Sequence, residues 1–137
     1  MECLFCKIIA KQIPSEVIYE NDASVAVLDA APRAPGHTMV LPKVHAESIL
    51  DLPDTVVEPV FAAVKKVTAI LQKALAPDGF TIGINQGRAA GQAIDHLHIH
   101  VIPRWGSDNG GSIHSIVTNI PKETPGEIRS KIIKSMS

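Results

Sequence analysis

The stretch IDHLHIHVIPR, residues 94–104, sets His96, His98 and His100 at every second position, with Leu97, Ile99 and Val101 between them. Strict alternation of polar and apolar residues is the mark of a strand with one buried face. The spacing predicts a strand over residues 95–102, three imidazoles on one side and three aliphatic side chains packed on the other. On a strand rising about 3.3 Å per residue, same-face neighbours stand roughly 6.6 Å apart, so His96 and His100 are about 13 Å apart. One ion with nitrogen ligands at about 2.1 Å cannot take all three. The row must divide its labour: one end is open to a metal, and the other two can grip one substrate group. Packing has no need of three imidazoles on one face, because burying each requires a polar partner. An unperturbed pKa of about 6.5 leaves imidazole mostly neutral and nucleophilic at pH 7, yet easily protonated, so a covalent nucleophile beside a proton donor is the chemistry expected of such a row.

Working outward, FTIGIN (80–85) reads as the preceding strand, joined to the histidine row by QGRAAGQAI, whose glycines allow a tight loop. Upstream, SEVIYEN and SVAVLD read as strands, the second with Val25, Val27 and Asp29 on one face and Ala26 and Leu28 on the other. AAPRAPG (30–36) must be a loop and HTMVLP a third strand, which puts Asp29 and His37 at strand ends. Between Asp54 and Ala76, Val57, Val60, Phe61, Val64, Val67, Ile70, Leu71 and Leu75 recur at three- and four-residue spacings, one buried stripe of a long helix. Pro59 is expected near its first turn and Pro77-Asp78-Gly79 at its end. Residues 3–11 make a short helix that Pro14 stops. About five strands in runs, with one main helix and no regular βαβ alternation, predict an antiparallel α+β domain.

The chain has 137 residues, 45% of them hydrophobic, which suits a single domain with its own core. A formal net charge of -1 argues against nucleic acid and anionic lipid as partners, and any anionic ligand must be held by local groups. No apolar run is long enough to span a membrane, and MECLFCKIIA lacks the pattern of a secretory leader, so a cytoplasmic protein is expected. Cys3 and Cys6, the only cysteines, then suggest a metal knuckle or a redox pair, and zinc would need two more ligands. In the tail, Thr124, Pro125 and Glu127 form a capping box for a last helix with Ile128, Ile132 and Met136 on one face, expected to pack on the body or on a partner. Arg104 reads as a solvated or dimer-interface charge, Trp105 as a packing residue or substrate contact, and His114 as a surface histidine.

His96-Leu97-His98-Ile99-His100-Val101-Ile102 resembles the histidine triad motif of the HIT superfamily of nucleotide hydrolases and transferases. CLFCKIIAKQIPSEVIYEND, VLDAAPRAPGHTMVLPKVH and NQGRAAGQ resemble, in order, other segments of bacterial HIT proteins related to the Hint branch. Together they run over roughly residues 2–105, leaving 106–137 as a tail of the same domain.

The resemblance implies a HIT fold, with a five-stranded antiparallel sheet, one long and short flanking helices, and a homodimer with two nucleotide sites. His98 would attack the α-phosphorus of a purine nucleoside 5'-phosphoramidate or related AMP conjugate, and water would release AMP or GMP from the nucleotidyl-histidine. His100 would contact the phosphate and the bond to the leaving group, and His37 matches a further active-site histidine. Asp29 matches the residue that binds the ribose hydroxyls, and its carboxylate can accept two hydrogen bonds from a cis-diol. Asn85 and the loop Gly91-Gln92-Ala93 match the phosphate-contacting segment. At Ala93 some Hint members carry a serine whose hydroxyl contacts the phosphate or leaving group. Similarity to zinc-containing bacterial HIT proteins and to galactose-1-phosphate uridylyltransferase implies that His45 and His96 complete a Cys3, Cys6 zinc set, structural and closed, with no organic cofactor. Two alternatives stay open: hydrolysis of dinucleoside polyphosphates by the same nucleophile, and a nucleotide-binding regulatory module with incidental turnover.

Overall fold

A computed structural model describes residues 2–137. In chain order it contains α1 (Leu4–Ile9), β1 (Val17–Glu20), β2 (Ser24–Leu28), β3 (Thr38–Pro42), α2 (Asp54–Leu75), β4 (Gly79–Gly83), β5 (Ile99–Arg104) and α3 (Pro125–Ser135). The five strands form one antiparallel sheet in the order β1-β2-β3-β5-β4, the expected α+β architecture. Because β5 inserts between β3 and β4, Met39 pairs with His100 from one side and Gly83 from the other.

Both sheet faces are covered, which is why β2 and β3 are buried along almost their whole length. On one face Ala26, Val40, Ile99 and Val101 pack against Val60, Ala63, Val64, Val67 and Leu71 of α2. Phe61 and Leu75, expected in that stripe, are instead exposed at 39% each, and Ala63 takes the inner place. The stripe runs 60, 63, 64, 67, 71; a 3.6-residue period turns Phe61 and Leu75 toward its edge. Pro59 lies one turn further in than expected, because α2 begins at Asp54 with Pro53 as its cap. On the opposite face Val25, Val27, Met39 and Leu41 pack against Cys3 and Phe5 at the start of α1. The six-residue α1 covers only the β2–β3 half of that face. The half made by β4 and β5 opens into a cavity of about 500 Å³ whose walls include Thr81, Gly83, His100 and Ile102.

The expected strand over residues 95–102 is displaced: β5 begins at Ile99, and His96 and His98 lie in irregular chain that leads into it. The physical reason is hydrogen bonding. Leu97 N–H donates to Ala46 O at 2.7 Å, so this segment is tied to the loop after β3 and leaves the ladder. Leu97, Ile99 and Val101 are nonetheless fully buried, as the alternation required.

Gly36 supplies the turn into β3. Its φ of +81° lies in the left-handed region, and a Cβ there would collide with Leu75 Cδ1 and sit 3.3 Å from Leu71 Cδ2 and Pro103 Cγ. We expect Gly36→Ala to cost about 2 kcal/mol or more, summing backbone strain and overpacking. Urea denaturation measures it, and a change below about 0.5 kcal/mol would contradict this reading of the turn.

Arg104 is not a solvated charge. Its guanidinium bonds both oxygens of Asp108 at 2.7 and 3.1 Å, Thr81 Oγ1 at 3.0 Å and Gly111 O at 2.7 Å, which pins the start of the tail to β4. That pairing holds the Asp108 carboxyl far below the ordinary carboxylate range. The capping box of α3 forms as expected, with Thr124 Oγ1 accepting from Glu127 N–H at 3.1 Å. Yet α3 buries none of its residues, and Ile132 and Met136 remain exposed rather than packed on the body. His114 is exposed. Among the described residues no helix is long and apolar enough to cross a membrane.

Candidate active site and metal centre

The first CxxC residue caps α1: Cys3 is its N-cap, and its Sγ accepts from Cys6 N–H at 3.4 Å. One helical turn therefore sets both thiols on one side. His45, in the loop after β3, brings Nδ1 to 3.3 Å from Cys6 Sγ, and His96 brings its Nδ1 to 3.5 Å from Cys3 Sγ, 3.6 Å from Cys6 Sγ and 3.2 Å from His45 Nδ1. A tetrahedral ion with bonds of about 2.1 Å to nitrogen and about 2.3 Å to sulfur holds its donors about 3.4–3.8 Å apart. The four donor atoms already stand close to that spacing. The His96 tautomer agrees: Nε2 lies 2.9 Å from Pro42 O and must carry the proton, which leaves the Nδ1 lone pair facing the thiols. Burial and the Cys3 sulfur push the Cys6 thiol above its ordinary range, so a cation shared by both would favour their ionisation. The residues present fit zinc.

His98 is turned by a different contact. Its Nδ1 lies 2.7 Å from His96 O, a carbonyl that can only accept, so Nδ1 carries the proton and the Nε2 lone pair is free. Phe5 holds the ring by an edge contact at a centroid distance of 5.0 Å and stands at 5.9 Å from His96, wedged between the metal set and the rest of the row. His100, on β5, follows at 5.1 Å from His98, ring to ring.

The chain of tautomers continues to His37. Arg33 N–H donates to His37 Nδ1 at 3.1 Å, so His37 Nε2 bears the proton and donates to His100 Nδ1 at 2.9 Å. The proton of His100 is then on Nε2, available to a bound oxyanion. Asp29, anchored by Ala31 N–H at 2.9 Å, approaches His37 Nε2 at 3.4 Å. Asp29, His37 and His100 also lie close enough to share a cation, but His37 would have to give up the Nε2 proton while Nδ1 still faces an N–H. That tautomer conflict makes the second cluster a hydrogen-bond relay.

Burial lowers the pKa of His37 and of His96, and burial, then His98 and His37, push His100 down to about 4. An imidazole depressed below its ordinary 6.5 adds nothing above that value and opposes folding as pH falls through it, since the unfolded chain binds the proton first. We expect urea stability to be flat above pH 7 and to decline steadily from pH 6.5 toward 4. A curve flat to pH 4 would contradict it.

The structure brings Asp29, His37, His98 and His100 together, with Asn85 on the wall of the cavity that His37 and His100 line. Gly91, at φ +96°, abuts the Asn85 amide, where a Cβ would lie 3.8 Å from its Nδ2. Gln92 is placed differently from a free ligand contact: it is buried, its Oε1 accepts from Gly87 N–H at 2.8 Å and its Nε2 donates to Glu47 O and Ile94 O at 2.7 and 3.0 Å. Ala93 lines a pocket beside Cys3 and His45, on the metal side. Sequence reading missed Phe5, for which the apolar pair inside CLFC was the only signal. It also missed Arg88, whose guanidinium spans Asp95 at 3.0 and 3.1 Å and the carbonyls of Gln92 and Ala93, closing the loop. The Phe5 contacts join distant parts of the chain that no local pattern connects, and the short-range Arg88 pairings fall in an irregular loop with no period to read.

A family model described as HIT domain matches residues 10–106. The adenosine 5'-monophosphoramidase hnt1 of Schizosaccharomyces pombe is 38% identical over 136 residues, covering 96% of this chain and 99% of its own. Among solved structures, a member of the HIT family of proteins from Bacillus subtilis superposes with a TM-score of 0.86 at 35% identity, covering 98% of this chain and 96% of that one. A Zn-bound histidine triad family protein from Mycobacterium smegmatis does so with a TM-score of 0.74 at 29% identity, covering 98% of each.

Proposed function

Since this chain belongs to the HIT domain family, we propose that it is a nucleotide hydrolase that cleaves purine nucleoside 5'-phosphoramidates or related AMP conjugates at the α-phosphorus through a covalent intermediate on His98. The observation that carries this reading is the 2.7 Å contact from His98 Nδ1 to His96 O, which fixes the tautomer and leaves Nε2 as a free lone pair. Nε2 attacks phosphorus, the P–N bond breaks, and its electron pair departs with the amine, which takes a proton from water. The ring gains positive charge in this step, and the His96 carbonyl beside Nδ1–H meets it. His100 Nε2–H hydrogen-bonds the phosphoryl group and the bond to the leaving group, oriented by His37. Water then adds at phosphorus and the pair returns to Nε2, releasing AMP or GMP. Asp29 accepts hydrogen bonds from the ribose diol, and Asn85 and the adjoining Gly91 flank the phosphate, while the buried Gln92 holds their loop in shape and Ala93 faces the metal side.

Cys3, Cys6, His45 and His96 hold zinc in this reading, a structural ion that ties α1 to the segment bearing the nucleophile. The Zn-bound histidine triad family protein from Mycobacterium smegmatis supports it. A homodimer belongs to the same proposal: β4 is an edge strand, and Ile116, Val117, Ile120, Ile132 and Met136 are exposed in the tail, more apolar surface than a lone chain usually leaves bare. Two free thiols suit a reducing compartment, and we place the protein in the cytoplasm.

The test is turnover of adenosine 5'-phosphoramidate and of a diadenosine polyphosphate, with AMP release followed by chromatography. Faster release from the phosphoramidate supports the reading, and faster release from the polyphosphate replaces the substrate class. AMP binding without turnover of either would make the protein a nucleotide-binding module.

A further inference from the structure

Two cavities flank the histidine relay. One, of about 440 Å³, lies along the Asp29–Gly36 turn; the other, of about 500 Å³, lies over β4 and β5 beside Asn85 and His100. Only Arg33 and His37 line both, and Arg33 is the only lysine or arginine on either wall among the described residues. Its guanidinium makes no ion pair or hydrogen bond there; only its main-chain N–H is engaged, with His37. Asp29, the acidic group that shares its cavity, is turned to Ala31 N–H and His37. The relay is hydrogen-bonded in its neutral form, so it brings no cation to the phosphoryl end. An exposed, unpaired guanidinium at the junction of the two cavities is the one local charge able to meet a second oxyanion.

We propose that Arg33 binds an oxyanion carried by the leaving group, a carboxylate or phosphoryl beyond the α-phosphorus, and thereby favours, among phosphoramidates and related AMP conjugates, those whose leaving group bears such a charge. The inference rests on the proposed nucleotide site. When His98 Nε2 forms its bond to phosphorus, the bond to the leaving group breaks and its electron pair leaves with that group. The pair departs on a nitrogen that takes a proton from water in a phosphoramidate, and on an oxygen in a phosphoryl conjugate. The guanidinium holds the oxyanion of the departing group throughout, a charge that the neutral relay cannot meet.

Equilibrium binding of AMP and of ADP to the full chain separates the α-phosphate from the group beyond it, and needs no turnover. ADP is expected to bind more tightly than AMP. Arg33→Gln keeps the main-chain contact to His37 and is expected to weaken ADP about tenfold more than it weakens AMP, the size of one lost charge-assisted hydrogen bond. Arg33→Lys is expected to restore part of that difference. Equal weakening of both nucleotides, or no change in either, overturns the proposal. Binding as expected without turnover of any conjugate would leave the role of Arg33 standing and bring down the hydrolase reading. Failure of the wild type to bind either nucleotide would bring down both.

Discussion

Replacing His98 with alanine is expected to lower kcat/KM for AMP release by about 10⁴-fold and to abolish any phosphorus-linked adduct on the protein. The size follows from chemistry. Without Nε2 the proposed covalent step is impossible, and what remains is the contribution of the groups proposed to bind and orient substrate, the contacting His100, His37 and Asp29. The variant also removes a ring packed against Phe5, so about 2 kcal/mol of stability should be lost as well, too little to unfold an ordinary domain. Circular dichroism at the assay temperature distinguishes the two effects. Wild-type turnover within tenfold would show that His98 is not the nucleophile. A trapped adduct on another histidine would move the role to that residue.

Removing the metal is expected to have the second largest effect. Cys3→Ser preserves an oxygen acceptor at the α1 N-cap, where serine is the better capping residue, so the helix loses none of its local support. The variant nonetheless leaves three donors in place of four. We expect it to purify with most of its zinc gone, and to melt roughly 10 °C lower, about 3 kcal/mol for a chain of this size. A chelator should reproduce the drop in the wild type and leave the variant little changed. The loss stays below that of a zinc-finger peptide because Val25, Val27, Met39 and Leu41 already form a core against α1. Metal analysis of protein made without a histidine tag, together with calorimetry, checks both parts. Wild type that carries no zinc and melts alike with and without chelator would leave the four donors as a hydrogen-bonded cluster.

The two effects meet in three consecutive residues. His96 gives Nδ1 to the metal set, its ring proton to Pro42 O and its carbonyl to His98. If zinc is bound as proposed, its loss should therefore depress turnover as well as stability, because the carbonyl that sets the His98 tautomer rides on a segment whose other anchor is the Cys3, Cys6 and His45 cluster.

Much of this could be read in advance. Alternation told Leu97, Ile99 and Val101 from the histidines, and all three lie buried. Most of the α2 stripe, with Phe61 and Leu75 falling outside it, the thiol pair and the capping box of α3 were legible too, because each is a pattern within one element, set by backbone period or by a cap. The capping box did not say what α3 packs on, and the structure leaves its apolar side bare.

What the sequence by itself determined is the chemistry available: three imidazoles in a row, two thiols one turn apart, a carboxylate and a fourth histidine at strand ends. What only the tertiary structure decided is how each ring is turned. Spacing on a strand promised three equal histidines roughly 6.6 Å apart. Instead the chain leaves the ladder before Ile99, Phe5 stands between the first ring and the second, and main-chain carbonyl and N–H groups, some near in sequence and some distant, assign the protons of the row. Pro42 O, His96 O and Arg33 N–H do that work, and the first and last lie more than 50 residues from the rings whose protons they settle directly or through His37. Local pattern fixes which face a side chain points to; the partner that chooses between its two nitrogens is brought there only by folding.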